Sequence, residues 1–140
     1  YAKSRGIKLG MELNVVQKFN LDIGKNKLLL FADYNETKIF LKEFKKSEIG
    51  VLLDLGHTSV TSHWLKFNKN EFVKKIKESV VVVHASNNNG LKDQHKQLTK
   101  NCWQTSKLKD FKNIPITLET MNLNIEQIKK NIQIVKDAIK

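Results

Sequence analysis

Seven side chains in this sequence belong to types that bind divalent cations or move protons, and their spacing suggests that they act together. Glu12, Asp54, His84 and Glu119 each close a short apolar run: GIKLGME, GVLLD, SVVVVH and PITLE. Such runs read as strands buried on both faces, so each polar residue would sit at a strand's C-terminal tip. In α/β folds that rim is where ligands bind and chemistry is done. Three carboxylates with one imidazole suit Mn²⁺, Mg²⁺, Co²⁺ or Zn²⁺, whereas a structural zinc site would use cysteine. His57 follows Asp54 in DLGH, and Asp93-Gln94-His95 adds a second acid–imidazole pair. Taken singly, each residue reads as a helix cap, a surface ion pair or a solvated side chain, and His63 stays in that class. Their joint occurrence at four strand tips is what points to a shared cation.

Four elements must position those tips: strands over 6–12, 49–54, 80–84 and 115–119. Between them the pattern switches to helical spacing. Asp33 with Glu36 forms a capping box for a helix over 34–46, whose buried face is Thr37, Phe40, Leu41 and Phe44. Asn68 caps the next helix, with Phe67 and Phe72 spaced as a hydrophobic staple and Phe72, Val73 and Ile76 inward. Residues 58–66 form a loop or short helix, 87–90 (NNNG) a turn, and 96–112 a weak helix around Leu108 and Phe111. Asn124 caps the last helix, where Ile125, Ile128, Ile132, Val135 and Ile139 make an amphipathic stripe read as core. Residues 1–5 read as the tail of a helix ended by Gly6, and Leu28 to Phe31 as a locally packed part of a long connection. The order β-α-β-α-β-(α)-β-α calls for a parallel sheet with right-handed crossovers.

Composition excludes several classes. At 140 residues, 40% apolar and 28% charged, the chain reads as one domain with its own core. Its single cysteine, Cys102, rules out an internal disulfide and suits a reducing, cytoplasmic setting. No apolar run approaches the roughly 20 residues that span a bilayer, so no membrane partner is expected. The net charge of +11 raises nucleic acid as a partner. That excess is nearly all lysine, with one arginine (Arg5), and reads as dispersed helix-surface charge rather than a phosphate-binding stripe.

In order, GIKLGMELN, GVLLDLGH, VVVVHASNNNGLKDQH and IPITLET resemble the second half of the xylose isomerase-like TIM barrel superfamily. That group holds sugar-phosphate isomerases and epimerases together with endonuclease IV. The resemblance spans essentially the whole chain, and implies the C-terminal half of a (β/α)8 barrel: units five to eight, with helices on the outer face. It implies that Glu12, Asp54, His84 and Glu119 bind a divalent metal, with Glu12 and Glu119 as the catalytic acid/base pair. His57 would contact substrate, or join Asp93 and His95 in a second metal site as in endonuclease IV. The implied function is a metal-dependent isomerase or epimerase of a sugar or sugar phosphate. The alternatives are a phosphodiesterase on abasic DNA and an inactive half-barrel. The glycine-rich turn usual after D-x-H is replaced here by Gln97-Leu98-Thr99. Units one to four would come from a missing N-terminal half or from a homodimer partner. Tyr1, starting inside what should be a helix, favours the former.

Overall fold

The structure is a computed structural model that describes residues 1–45 and 48–140. Strand β1 (Leu9–Glu12) is followed by a long connection bearing a small hairpin, β2 (Leu21–Asp22) with β3 (Lys25–Asn26). Helix α1 (Tyr34–Glu43) leads to strand β4 (Ile49–Asp54), which runs without a loop into α2 (Leu55–Trp64). Then come α3 (Lys69–Ile76), β5 (Val80–Ala85), α4 (Trp103–Leu108), β6 (Ile116–Leu118) and α5 (Ile125–Ala138). The four longer strands form one parallel sheet in the order β1-β4-β5-β6. This is the α/β arrangement the sequence calls for. No described helix is long and apolar enough to cross a membrane.

Local chemistry explains the boundaries. The Asp33 carboxylate accepts from the Asn35 and Glu36 amides while Glu36 reaches back, so the capping box starts α1. Asn68 accepts from the amides of Asn70 and Glu71 to start α3, and the Phe67 and Phe72 rings meet at 5.2 Å. Asn124 and Gln127 make the same reciprocal pair at α5. Gly6 takes φ +68°, the left-handed conformation that ends the short 3-10 turn over Lys3–Arg5.

The sheet's two faces differ. Val51, Leu53, Val83 and Ala85 are fully buried under the helices, together with Phe72, Ile76, Leu108 and Phe111. Burying this apolar surface, at roughly 25 cal/mol per Å², is the main favourable term. The register pairs Glu12 with Leu52, Asp54 with His84, and His84 with Thr117. Alternation therefore sets Gly10, Glu12, Leu52, Asp54, Val82, His84 and Thr117 on the opposite face. Gly10 and Thr117 are exposed there and Leu52 and Val82 are half-buried, so this face is open.

Several expectations need correcting. The α5 stripe is not core: Ile125, Ile128 and Ile132 are 71%, 44% and 41% exposed, while Asn131 and Ile134 face inward. Only Val135 and Ile139 of that stripe pack against the core. The segment after Asp54 is a full helix, because the Asp54 carboxylate caps it. Helix formation within 96–112 is confined to α4 and a 3-10 turn, Lys109–Phe111. Strand β1 starts at Leu9, and residues before Gly6 form a 3-10 turn rather than an α-helical tail. Helix α1 ends at Glu43, Phe44 is 47% exposed, and the expected terminus at Lys46 lies outside the described residues. In the connection Phe31 is buried, but Leu28 and Leu30 are exposed.

Candidate metal centre

The parallel register brings the four strand-end residues together at one rim. His84 Nδ1 lies 3.2 Å from Glu119 Oε2, 3.6 Å from Glu12 Oε1 and 4.0 Å from Asp54 Oδ2. Donor atoms sharing one ion at bond lengths of about 2.1 Å stand roughly 3–4 Å apart, so these separations match a common cation. A further group with one ligand atom each from Glu12, Asp54, His57 and Glu119 fits within 4.8 Å. Both edge strands thus contribute a glutamate, and the two central strands supply the floor.

Three of these atoms show that the donor set fits a cation. Asp54 Oδ2, His84 Nδ1 and Glu119 Oε2 are buried and have no hydrogen-bond partner. The 3.2 Å approach of His84 to Glu119 is not aligned as a hydrogen bond. A buried polar atom without a partner costs about 1–3 kcal/mol, and a cation would satisfy all three of these together. Burial is the largest influence on Asp54 and pushes its carboxyl up to about 7, with Glu119 adding to the shift and His57 opposing it.

Asp54 also builds the local structure. Its Oδ1 accepts from the His57 amide at 2.7 Å as the cap of α2, which leaves Oδ2 for the cluster. Gly56 in DLGH leaves room for the cluster: a Cβ there would stand 2.7 Å from Ser86 Oγ and 3.0 Å from Asp54 Oδ1, so one of these side chains would have to shift. The glycine between the acid and the histidine in DLGH is the sequence trace of this close approach.

His57, Asp93 and His95 form a second group capable of holding a cation. His57 Nδ1 lies 2.9 Å from the Leu13 carbonyl, and His95 Nδ1 lies 2.9 Å from the Glu119 carbonyl. A carbonyl only accepts, so both Nδ1 atoms carry protons and coordination of an ion would fall to the two Nε2 atoms. Metal-binding histidines are commonly oriented in this way. The Nε2 atoms converge on Asp93 Oδ2, from His95 at 2.8 Å and from His57 at 3.4 Å. His57 Nε2 is also 3.9 Å from Asp54 Oδ2, so it stands between the two groups. Burial opposes its protonation, but Asp93, Asp54 and the Leu13 carbonyl outweigh that and lift it to about 9. Burial would raise Asp93, yet the two histidines hold it below the usual carboxylate range. His95 is raised, the Glu119 carbonyl and Asp93 prevailing over desolvation.

All seven residues therefore meet at the same rim. Sequence reasoning missed their supports: the Leu13 and Glu119 carbonyls, and Gln17, whose Oε1 accepts from the Asp93 amide at 3.3 Å. Backbone carbonyls leave no trace in residue identity. His63 is exposed and stacks edge-on against Trp64, apart from the cluster. A depression of about 590 Å³ lies away from the rim, between 97–100 and α5 residues Lys130 and Gln133. The rim itself is open on the uncovered side of the sheet. No protein-family model matches the chain, and neither does any curated protein or any solved structure.

Proposed function

We propose that this chain is the C-terminal half of a (β/α)8 barrel and carries the metal centre of a sugar or sugar-phosphate isomerase or epimerase. Units one to four would be supplied by a further segment of the polypeptide or by a second copy. The observation that carries the reading is the division of labour among the four strand-tip residues. The side chains of Asp54 and His84 are 0% and 19% exposed and form a floor, while Glu12 and Glu119 flank it at 41% and 39%. Bound there, a divalent ion such as Mn²⁺, Mg²⁺, Co²⁺ or Zn²⁺ would polarise a substrate carbonyl and acidify the neighbouring C–H. Glu12 and Glu119 are the side chains that reach outward from opposite edges, and so can hold a proton on either side of a substrate carbon. One removes it and the other returns it; positioned proton transfer of this kind contributes about 10²–10⁴-fold. His57 orients a substrate hydroxyl, its ring fixed by the Leu13 carbonyl.

Replacing Glu119 by Gln should leave metal binding largely intact and abolish exchange of the substrate C–H with solvent deuterium. Retained exchange would exclude Glu119 as the base.

One observation favours a second reading, phosphodiester cleavage at abasic DNA. The convergence of His57 Nε2 and His95 Nε2 on Asp93 gives room for another cation beside the first. Two adjacent ions clamp attacking and leaving oxygens in hydrolysis. Metal analysis separates the readings: more than one ion per site supports the hydrolase, and a single ion removes it.

A further inference from the structure

On the far side of α2 from His57, a pocket of about 290 Å³ is lined by Ser59, Lys69, Asn88, Gly90, Trp103 and Gln104, among others. Lys69 is its charged member. Its Nζ donates to Ser59 Oγ at 3.2 Å and lies 4.4 Å from the centre of the Trp103 ring. A second ammonium, Lys107, approaches the same ring at 6.0 Å. The Trp103 indole is held in place by donating to Asn70 Oδ1 at 2.9 Å.

Two of the polar side chains that line this pocket carry donors. Ser59 and Gln104 are 5% and 2% exposed. Ser59 Oγ accepts from Lys69, so its own proton is free to turn inward. Gln104 Nε2 spends one of its protons on Asn88 Oδ1 at 3.5 Å and keeps another. Among the described residues no carboxylate pairs with Lys69. Its pKa is lowered by burial first and by the Lys107 charge second. Surface lysines normally face water or an acid; this one lies against an indole and donates to a buried hydroxyl.

We propose that the Lys69–Trp103 pocket binds a small oxyanion of the phosphate class, held by the Lys69 ammonium, the Ser59 hydroxyl and the Gln104 amide. The site is separate from the strand-tip cluster and does not depend on the function assigned to it. The volume accommodates a phosphoryl group on a small carrier as well as free phosphate.

The experiment is a titration of the chelator-treated chain with inorganic phosphate, followed by tryptophan fluorescence and thermal melting. Trp64→Phe leaves Trp103 as the sole reporter. A saturable fluorescence change with a rise in melting temperature is expected. Charged hydrogen bonds are worth enough that Lys69→Met should weaken phosphate binding about tenfold or more, while Lys69→Arg retains it. Circular dichroism of each variant shows that it is folded. Absence of a saturable response in the folded wild type, or an equal response in Lys69→Met, overturns the proposal. Glucose 6-phosphate and glucose distinguish the sources. Tighter binding of the ester than of phosphate identifies a metabolite's phosphoryl group, equal binding identifies free phosphate, and binding of glucose as tight as the ester overturns the site. Because no metal is present, failure here leaves the metal centre untouched, and loss of metal binding leaves this result standing.

Discussion

Asp54 holds two positions with its two oxygens, one capping α2 and the other turned into the cluster. Its substitution separates these roles. Asn at 54 can keep the cap while removing a charge that burial opposes. Asp54→Asn should therefore leave the metal-free chain as stable as the parent or more stable near pH 8, yet lose metal binding. Thermal melts with and without Mn²⁺ test this, and a variant that still gains stability from the ion would refute the assignment. The same groups set the pH dependence. The folded chain keeps a proton on Asp54 up to about 7, whereas the unfolded chain releases it near 3.8, so stability falls across that interval. His57 is raised from 6.5 to about 9, so its contribution is complete below 6.5 and lost as pH rises through 9. Both act in one direction: the metal-free chain should lose stability from about pH 4 to pH 9. Metal affinity should rise over the upper part of that range, because the ion must displace these protons. Calorimetry in buffers of different ionisation enthalpy would detect the proton release, and pH-independent affinity would contradict it. At this scale the sequence was largely legible. Acids and histidines at the ends of apolar runs announce themselves by type. What fixes their rotation, the Leu13 carbonyl for His57 and the Glu119 carbonyl for His95, is backbone and carries no residue signature.

Among the elements, β4 and the capped helix starts could be read because their causes are local. Val51 and Leu53 sit in an unbroken apolar run, and Asp33, Asn68 and Asn124 each bond amides two or three residues away. The facing of α5 was not legible. Periodicity reports that a helix has an apolar stripe, but not whether the sheet takes that stripe. Here the inward position goes to Asn131, a residue whose type argues for the surface. Its Oδ1 accepts from the Leu98 amide at 3.0 Å, and its Nδ2 donates to Thr120 Oγ1 at 3.3 Å. These two bonds tie the irregular segment after His95 and the residue after Glu119 to one helix. Asn131→Ala leaves the fully buried Leu98 amide without a partner, a cost of about 1–3 kcal/mol. A fall in denaturation midpoint with unchanged dependence on denaturant is the expected result. Gly50 bears on the other side of the sheet. A Cβ there would come within 2.9 Å of the Ser79 carbonyl and press on Val81, so Gly50→Ala should destabilise by about 1–3 kcal/mol. A variant as stable as the parent in urea would show that β5 can move aside, contrary to the tight packing of β4 on β5.

The molecule as a whole is unbalanced. Parallel sheets are ordinarily covered on both faces, yet among the described residues this one has helices on one face, and β1 and β6 are its unpaired edges. Leu9 and Met11 on β1 are 46% and 42% exposed, and at the opposite end of the sheet Ile125, Ile128 and Ile132 of α5 are exposed as well. Unpaired strand edges beside apolar patches invite pairing with another chain. A second copy could place its β1 edge against β6 of the first and cover the α5 isoleucines in doing so. The net charge of +11 opposes that approach, and its reach is about 10 Å at 0.1 M salt. Self-association of the isolated chain should therefore strengthen with salt as well as with concentration, opposite to an assembly held by ion pairs. Replacing Ile128 and Ile132 together by Glu puts charge on exposed positions without disturbing Asn131 or Ile134. In sedimentation velocity this variant should shift toward monomer while its circular dichroism stays that of the parent. If the parent is monomeric at all salt concentrations, or the variant associates equally, these exposed surfaces are not what holds copies together.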